Sequence, residues 1–487
     1  MPSVPVARRH AARALAALVV LSLLVPVGVS AVTYSPPSLE PGTVESPADG
    51  DTVVGIQGFH FRGQGSTKKP ARVVSVGPEG RFDWKFDGSR VGARWFYDVD
   101  PLPEGDLLVT STNPDGTVVV RMDRETREVV WTEELPFHDT HDVDLLPDGS
   151  LLIANMRQFD EAANVSNDRV LVYDREADVV EWEWVVREHY PNGTDGGWAA
   201  EPTRQQDWTH VNDVDRVGDG LYLVSLRNFD QAIVVNRSTD AVELKLGADD
   251  AHDVLDEQHN PDLVRGDGTV AVLVADSEND RVVEYTRRCE GDTTAVVAAD
   301  PADCEWERTW TLAGGLNWPR DADRLPNGNT LVTDTLNHRV MEVTPEGRIV
   351  WEYYATWAPY DGERVGTGDG SNGPPMATLD APRTATLSNS AGVTPGTGDR
   401  TPFHEWLATA FAGTPLSGPV DTFAVRWSHV TPWLTPNWMT GWDFAFTIVA
   451  VLVLLGWGTV EGYRGRDRLR ERAGAVAARA RAAVTER

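Results

Sequence analysis

Cysteine is almost absent: the chain of 487 residues holds two, Cys289 and Cys304. No Cys-based zinc centre is therefore on offer. A zinc site would have to draw on His138, His141 and His252, and His138 and His252 stand off the repeat register described below. Basic residues are scarce as well, 44 against 74 acidic ones, for a formal net charge of −30. That deficit excludes a nucleic-acid binder, because phosphate recognition needs a basic face. Most of the few bases are arginine. A solvated acidic shell keeps a protein soluble in strong brine, where salt screens its self-repulsion. The composition fits a halophilic protein, with an ordinary acidic protein as the alternative.

Long apolar runs are missing from the body of the chain and occur only near its two ends. Ala14 to Val32 follows Arg8, Arg9 and Arg13 and is long enough to cross a bilayer. Residues 1–33 thus read as a cleaved signal peptide or an uncleaved anchor. A second run, 442–460, follows Trp427, Trp433, Trp438 and Trp442 and precedes Arg464, Arg466, Arg468, Arg470 and Arg472. Aromatic belt and basic flank mark it as a transmembrane helix, with 461–487 as a basic cytoplasmic tail. The basic flanks lie on the outer sides of both runs, so the large middle is expected outside the cell, tethered to the cell membrane. There, Cys289 and Cys304 are expected to pair, closing their loop for about 3 kcal/mol in the chain-entropy picture. Two free thiols are the alternative.

Between the two runs the chain repeats itself. One hairpin recurs as Tyr97-Asp98-Val99-Asp100, His141-Asp142-Val143-Asp144, Asn212-Asp213-Val214-Asp215 and Arg320-Asp321-Ala322-Asp323. Each is followed by a Gly-containing turn and a second apolar strand; His259-Asn260-Pro261-Asp262 is a degenerate copy. Further strands follow, with a tryptophan near the fourth at Trp131, Trp182, Trp310 and Trp351. Four short strands per repeat, spaced by about 45 residues plus insertions, are the mark of a β-propeller blade. With an initial copy from Thr52 to Phe86 that lacks the Asp pair, the count is six. The expectation is an all-β, six-bladed propeller over 52–356, with loops at 187–207 and 289–304. A flexible tether and membrane-proximal segment, 361–441, follows, with a short amphipathic helix from Phe403 to Phe411.

In a propeller the first strand of each blade lines the central channel, so equivalent positions converge. The position before the first Asp is Tyr97, His141, Asn212 and Arg320, with His259 its counterpart in the degenerate copy. His210 lies two residues before Asn212 and points the same way. Arg157 and Arg227, at the ends of second strands, reach the same mouth. A single histidine here would be structural more often than functional. A ring of neutral or cationic donors inside so acidic a molecule indicates an anion site, since arginine suits sulfate and phosphate oxygens. The second Asp of each pair (Asp100, Asp144, Asp215, Asp262, Asp323) reads first as a structural hairpin residue, with an axial calcium ion as the alternative.

The segment Asp207-Trp208-Thr209-His210-Val211-Asn212, then Ser225-Leu226-Arg227, then Gln258-His259, resembles the arylsulfate sulfotransferase family. Those are six-bladed propeller enzymes that move a sulfuryl group between phenols without a nucleotide donor. The resemblance implies His259 as the nucleophile, with His141, His210 and Arg227 neutralising the sulfate oxygens. Arg320, Tyr97, Asn212 and Arg157 would complete substrate binding. It implies an aryl sulfate and a phenol as partners, with no metal and no cofactor. Pro261 sits where a strand is expected and removes a ladder donor, which sets a test for the direction of His259. The last blade, through Asp334-Thr335-Leu336-Asn337-His338, looks equally like an NHL-type propeller that binds a ligand or cell-surface partner without turnover; His338 is assigned to its turn.

Overall fold

Short strands, the inner and middle ones mostly apolar and buried on both faces between neighbouring blades, build six four-stranded antiparallel sheets in the propeller unit, Pro37–Asp399. The structure, a computed structural model, describes residues 6–34, 39–60, 67–69, 71–113, 115–191, 194, 207–289, 296–297, 304–392, 401–436 and 438–485. Most of the two expected insertion loops lies outside the described residues.

Blades 2 to 6 begin with the strands Trp95–Pro101, Val143–Leu145, Val211–Gly218, His259–Gly266 and Pro319–Arg324. Blade 1 takes Thr52–Ile56, Arg72–Val76 and Phe82–Asp87 from the start of the repeat region. Its innermost strand, however, is Pro359–Arg364, from the other end. Two expectations are corrected here. Residues from 361 do not begin a flexible tether, and the first blade does not lack its acidic pair, because Asp361 and Glu363 arrive on the closing strand. Ring closure is the physical reason, since an unpaired edge would leave a row of backbone donors and acceptors unsatisfied. Two further segments add edge strands: Glu40–Val44 on blade 6, and Ala385–Thr386, parallel, on blade 5.

The inner hairpins turn as their sequence dictates. At Leu146-Pro147-Asp148-Gly149 the Gly149 N–H donates to the Leu146 carbonyl at 2.9 Å, with proline preset at the second position and Gly149 at φ 88°. Six apolar clusters fill the six seams between neighbouring blades. Trp310 and Trp351 are wholly buried in two of them, each donating its indole N–H to a carbonyl of the next blade, Pro345 at 3.0 Å and Pro78 at 3.1 Å. Each buried Val, Leu or Ile in such a seam stabilises by about 1.5–3 kcal/mol. Cys289 and Cys304 face one another across an outer hairpin of blade 5 and form the expected disulfide.

The second unit, Met1–Pro36 with Arg400–Arg487, is helical. It holds helices Val6–Thr33, Phe403–Phe411, Ser417–Leu434 and Gly441–Thr485. Among the described residues two stretches are long and apolar enough to cross a membrane: His10–Thr33, mean hydropathy 2.6, and Gly441–Gly465, mean hydropathy 2.0. The first and last helices lie side by side, with Arg13 against Glu461 and Ser30 Oγ donating to Asp443 at 3.2 Å. The expected short helix Phe403–Phe411 sits in an aromatic group, Phe403 lying 5.0 Å from Trp427 and 5.1 Å from Trp442 between ring centres.

Candidate functional site

Simple alternation along an inner strand cannot aim both the residue before the Asp and the Asp itself at the axis. A recurring β-bulge does so. In blade 2, Phe96 pairs with Ser111 and Asp98 with Thr110, leaving Tyr97 as the extra residue. The same slip leaves Asn212 extra in blade 4, Arg320 in blade 6 and Tyr360 on the closing strand. Bulges re-aim side chains and suit a functional rim. In blade 5 the slip falls between His259 and Asp262, so Pro261 occupies the unpaired bulge, where no ladder donor is required. Proline therefore does not turn His259 away.

The rings converge. Tyr97 packs on His141 at 3.9 Å between ring centres, His141 meets His210 at 5.2 Å, and His259 meets Tyr360 at 5.8 Å. The Arg320 guanidinium lies over the Tyr360 ring at 4.4 Å and donates to Gln57 Oε1 at 2.9 Å. Every histidine is fixed through Nδ1: His141 with Tyr360 Oη at 2.9 Å, His210 with Asp207 at 2.9 Å, and His259 with Ser277 Oγ at 2.8 Å. The Ser277 hydroxyl donates to the Pro319 carbonyl at 2.7 Å. It can then only accept from His259, so the proton sits on Nδ1 and the Nε2 lone pair stays free. His210 is set the same way, since the Asp207 carboxylate accepts from its Nδ1.

Electrostatics follow from burial. His259 is 1 % exposed, and burial, then Arg320 and Arg227, hold its pKa well below the ordinary imidazole value. Burial and then Arg227 lower His210 to about 4, against the pull of Asp207. Burial also lowers His141, opposed by Asp139. All three rings are thus neutral near pH 7. Burial raises the hydroxyls of Tyr97 and Tyr360, which remain protonated donors. Positive charge comes from Arg227 and Arg320 alone among these groups, in a site where low dielectric strengthens it.

The expected residues fare differently. His141, His210, His259, Tyr97 and Arg320 meet in one place. Arg227 is buried beside them, donating to Asn228 Oδ1 at 3.1 Å and paired with Glu257. Arg157 is half-exposed at the rim and bridges Asp139 at 3.0 Å and Asp207 at 3.3 Å. Asn212 is fully buried and its amide donates to the Gln258 carbonyl at 3.0 Å, which positions the strand carrying His259. Among the described residues, His138, His141 and His252 do not gather into a metal cluster. His338 serves its turn, with Nδ1 3.1 Å from the Thr335 carbonyl and its ring 4.1 Å from Trp357.

Sequence reading gave no role to Tyr360, Asp139, Glu257 and Ser277, nor to Asp207, although Asp207 opens the quoted motif. For Tyr360 the signal was present: Tyr360-Asp361-Gly362-Glu363 repeats the pattern of Tyr97-Asp98-Val99-Asp100.

Among solved structures, a protein of unknown function from Bacteroides caccae is 14 % identical, covering 63 % of this chain and 93 % of that one, with a TM-score of 0.41. A streptogramin B lyase is 11 % identical, covering 67 % and 86 %, at 0.37. A virginiamycin B lyase from Staphylococcus aureus is 9 % identical, covering 65 % and 87 %, at 0.36. At such identities and scores these likenesses carry no argument about chemistry. No curated protein matches the chain. The arylsulfotransferase (ASST) profile, by contrast, matches residues 102–356, just over half of the chain and the four main strands of each of blades 3 to 6. With that match, the chain belongs to the arylsulfotransferase (ASST) family.

Proposed function

We propose that this protein transfers a sulfuryl group from an aryl sulfate ester to a phenolic acceptor, with His259 as the nucleophile. One observation carries the reading: the Ser277 hydroxyl, committed to the Pro319 carbonyl, leaves His259 neutral with a free Nε2 lone pair amid Arg227 and Arg320. In the first half-reaction Nε2 forms a bond to sulfur as the ester S–O bond breaks, and the phenolate leaves with the bonding pair. In the second, the acceptor oxygen attacks sulfur, the N–S bond breaks, and neutral His210, through its own Nε2, takes the acceptor's proton. Arg227 and Arg320 stabilise the sulfuryl oxygens as charge moves. Arg157 binds at the rim, and Tyr97 and Asn212 hold His141 and the His259 strand in place.

The two apolar helices support a membrane-tethered protein, and the basic flanks outside both support an extracellular propeller with a cytoplasmic tail. The acidic shell supports work in brine. A second reading, a propeller that binds without turnover, draws on the pairing of Arg227 with Glu257, which already compensates that charge. The test is release and transfer: the full chain in high salt, a chromogenic aryl sulfate, and a phenol acceptor. Turnover that depends on acceptor and disappears in His259→Ala supports the enzyme. Binding of the ester without release supports the second reading.

A further inference from the structure

Below the histidines every inner strand or the residues leading into it carry at least one carboxylate, and one group of these stands on the seam where the ring closes. Asp321 and Asp323 belong to blade 6, and Glu363 to the closing strand Pro359–Arg364. The three are buried, 3 %, 2 % and 3 % exposed, and each presents a carboxylate oxygen within 4.8 Å of the others. Two oxygens bound to one calcium ion at about 2.4 Å cannot be farther apart than about twice that distance, so the spacing fits.

A second observation is independent of the clustering. Asp323 Oδ2 and Glu363 Oε2 are buried without a hydrogen-bond partner. An orphaned carboxylate oxygen at that depth costs several kcal/mol, roughly, unless a cation meets it. Among the described residues no basic side chain pairs with either oxygen. Strand alternation sends the neighbouring Arg324 and Arg364 between the blades instead, to Glu284 at 3.0 Å and Glu342 at 2.9 Å. After burial itself, the strongest electrostatic influences on Asp323 and Glu363 are other carboxylates. Protonation is the competing way to neutralise the group, and for Asp323 the neighbouring Asp262 carboxylate is the acceptor it would use; the calcium titration below separates the two. Asp321 is already oriented, its Oδ2 accepting from Gly362 N–H at 3.2 Å and Thr333 Oγ1 at 3.3 Å. Gly362 lets the strands come this close: a Cβ there would sit 2.8 Å from Thr333 Oγ1.

We propose that Asp321, Asp323 and Glu363 bind one hard divalent cation, with calcium as the fitting size, which ties the closing strand to blade 6. The site is separate from the sulfuryl-transfer reading and stands whether or not that reading holds. The cation replaces the structural reading of Asp323 with a ligand role, and it latches the strands that carry Arg320 and Tyr360 into the site above.

The test uses the full chain purified in detergent, stripped with EDTA and titrated with calcium, or with terbium as a luminescent probe, while thermal unfolding is followed. The expected result is one ion per chain and a melting temperature that falls on stripping and returns with calcium. Asp323→Asn and Glu363→Gln should each weaken binding at least about ten-fold and abolish the calcium response. Asp144→Asn, in a different carboxylate group with Asp215 and Asp369, should keep it. The sign of the variants decides the matter even if activity is unreadable. Where no ion binds, removing one of several buried like charges relieves repulsion, so both variants would melt higher with or without calcium. That result, or a wild-type chain with no bound ion and no calcium response, overturns the proposal.

Discussion

The two ends of the propeller channel are built from the same six strands and have opposite chemistry. At one end, bulged residues and their neighbours present neutral imidazoles, phenols and arginines. At the other, the residues that follow present carboxylates. The bulge is what permits the difference, because it lets consecutive residues on one strand serve one channel. Both ends are tuned by burial, in opposite senses: it lowers the histidines toward their neutral form and raises the carboxyls toward theirs. The proposed anion site and the proposed cation site can therefore share one strand set, and each can be broken without the other.

Substitutions at the histidine end separate them most sharply. His259→Ala should lower turnover by roughly 10³-fold or more, as loss of a nucleophile does, and leave the melting temperature within about 2 °C of wild type. Arg227→Ala should lower kcat/KM by roughly 10²–10³-fold, the scale of removing one preorganised donor, although it also frees Glu257. Equal losses at both ends, activity and calcium response together, would show that the two are one coupled unit.

Smaller changes sharpen the assignment of the supporting groups. Ser277→Ala removes the acceptor that fixes the His259 tautomer; about ten-fold loss in kcat with little change in KM is expected for one hydrogen bond of about 1.4 kcal/mol. Tyr360→Phe keeps the ring against Arg320 and removes the partner of His141 Nδ1, for about five-fold loss. A structural role alone would lower the melting temperature without this split between kcat and KM.

The propeller, its repeat, and the histidine and arginine positions were legible because hairpin sequences repeat at fixed offsets. Tyr97 and Arg320 could be aligned by eye, and the structure brings both to the site. The closing strand was not found, since a strand supplied from the far end of the chain breaks the order of the repeat, and Gly362 hides it among turn residues. Asp139, Asp207 and Ser277 escaped for a different reason. Asp139 and Asp207 stand two and three residues before the rings they meet, His141 and His210, but in loops where no repeat offset marks them, and Ser277 reaches His259 from just beyond the second strand of the same blade. Pro261 misled because a bulge tolerates what a paired strand does not.

The weakest effect expected is also the one that shows the opposite tuning directly. His210, about 4 in the folded chain against 6.5 unfolded, contributes stability above pH 6.5 that is lost as pH falls toward 4. Asp142, raised to about 6 by burial, does the reverse: its contribution is present below pH 3.8 and lost as pH rises through 6. In calcium-free protein the two slopes oppose one another between about pH 4 and 6. Asp142→Asn should make the melting temperature fall more steeply on acidification, and His210→Gln should make it fall less.

The most direct test of the account remains the covalent step. Full-length protein mixed with an aryl sulfate in the absence of acceptor, quenched at neutral to alkaline pH and weighed intact, should carry the added mass of one sulfuryl group. Fragmentation should locate it on His259, and a phenol added before the quench should remove it. Turnover with no adduct on His259, or an adduct that survives His259→Ala, would contradict the account.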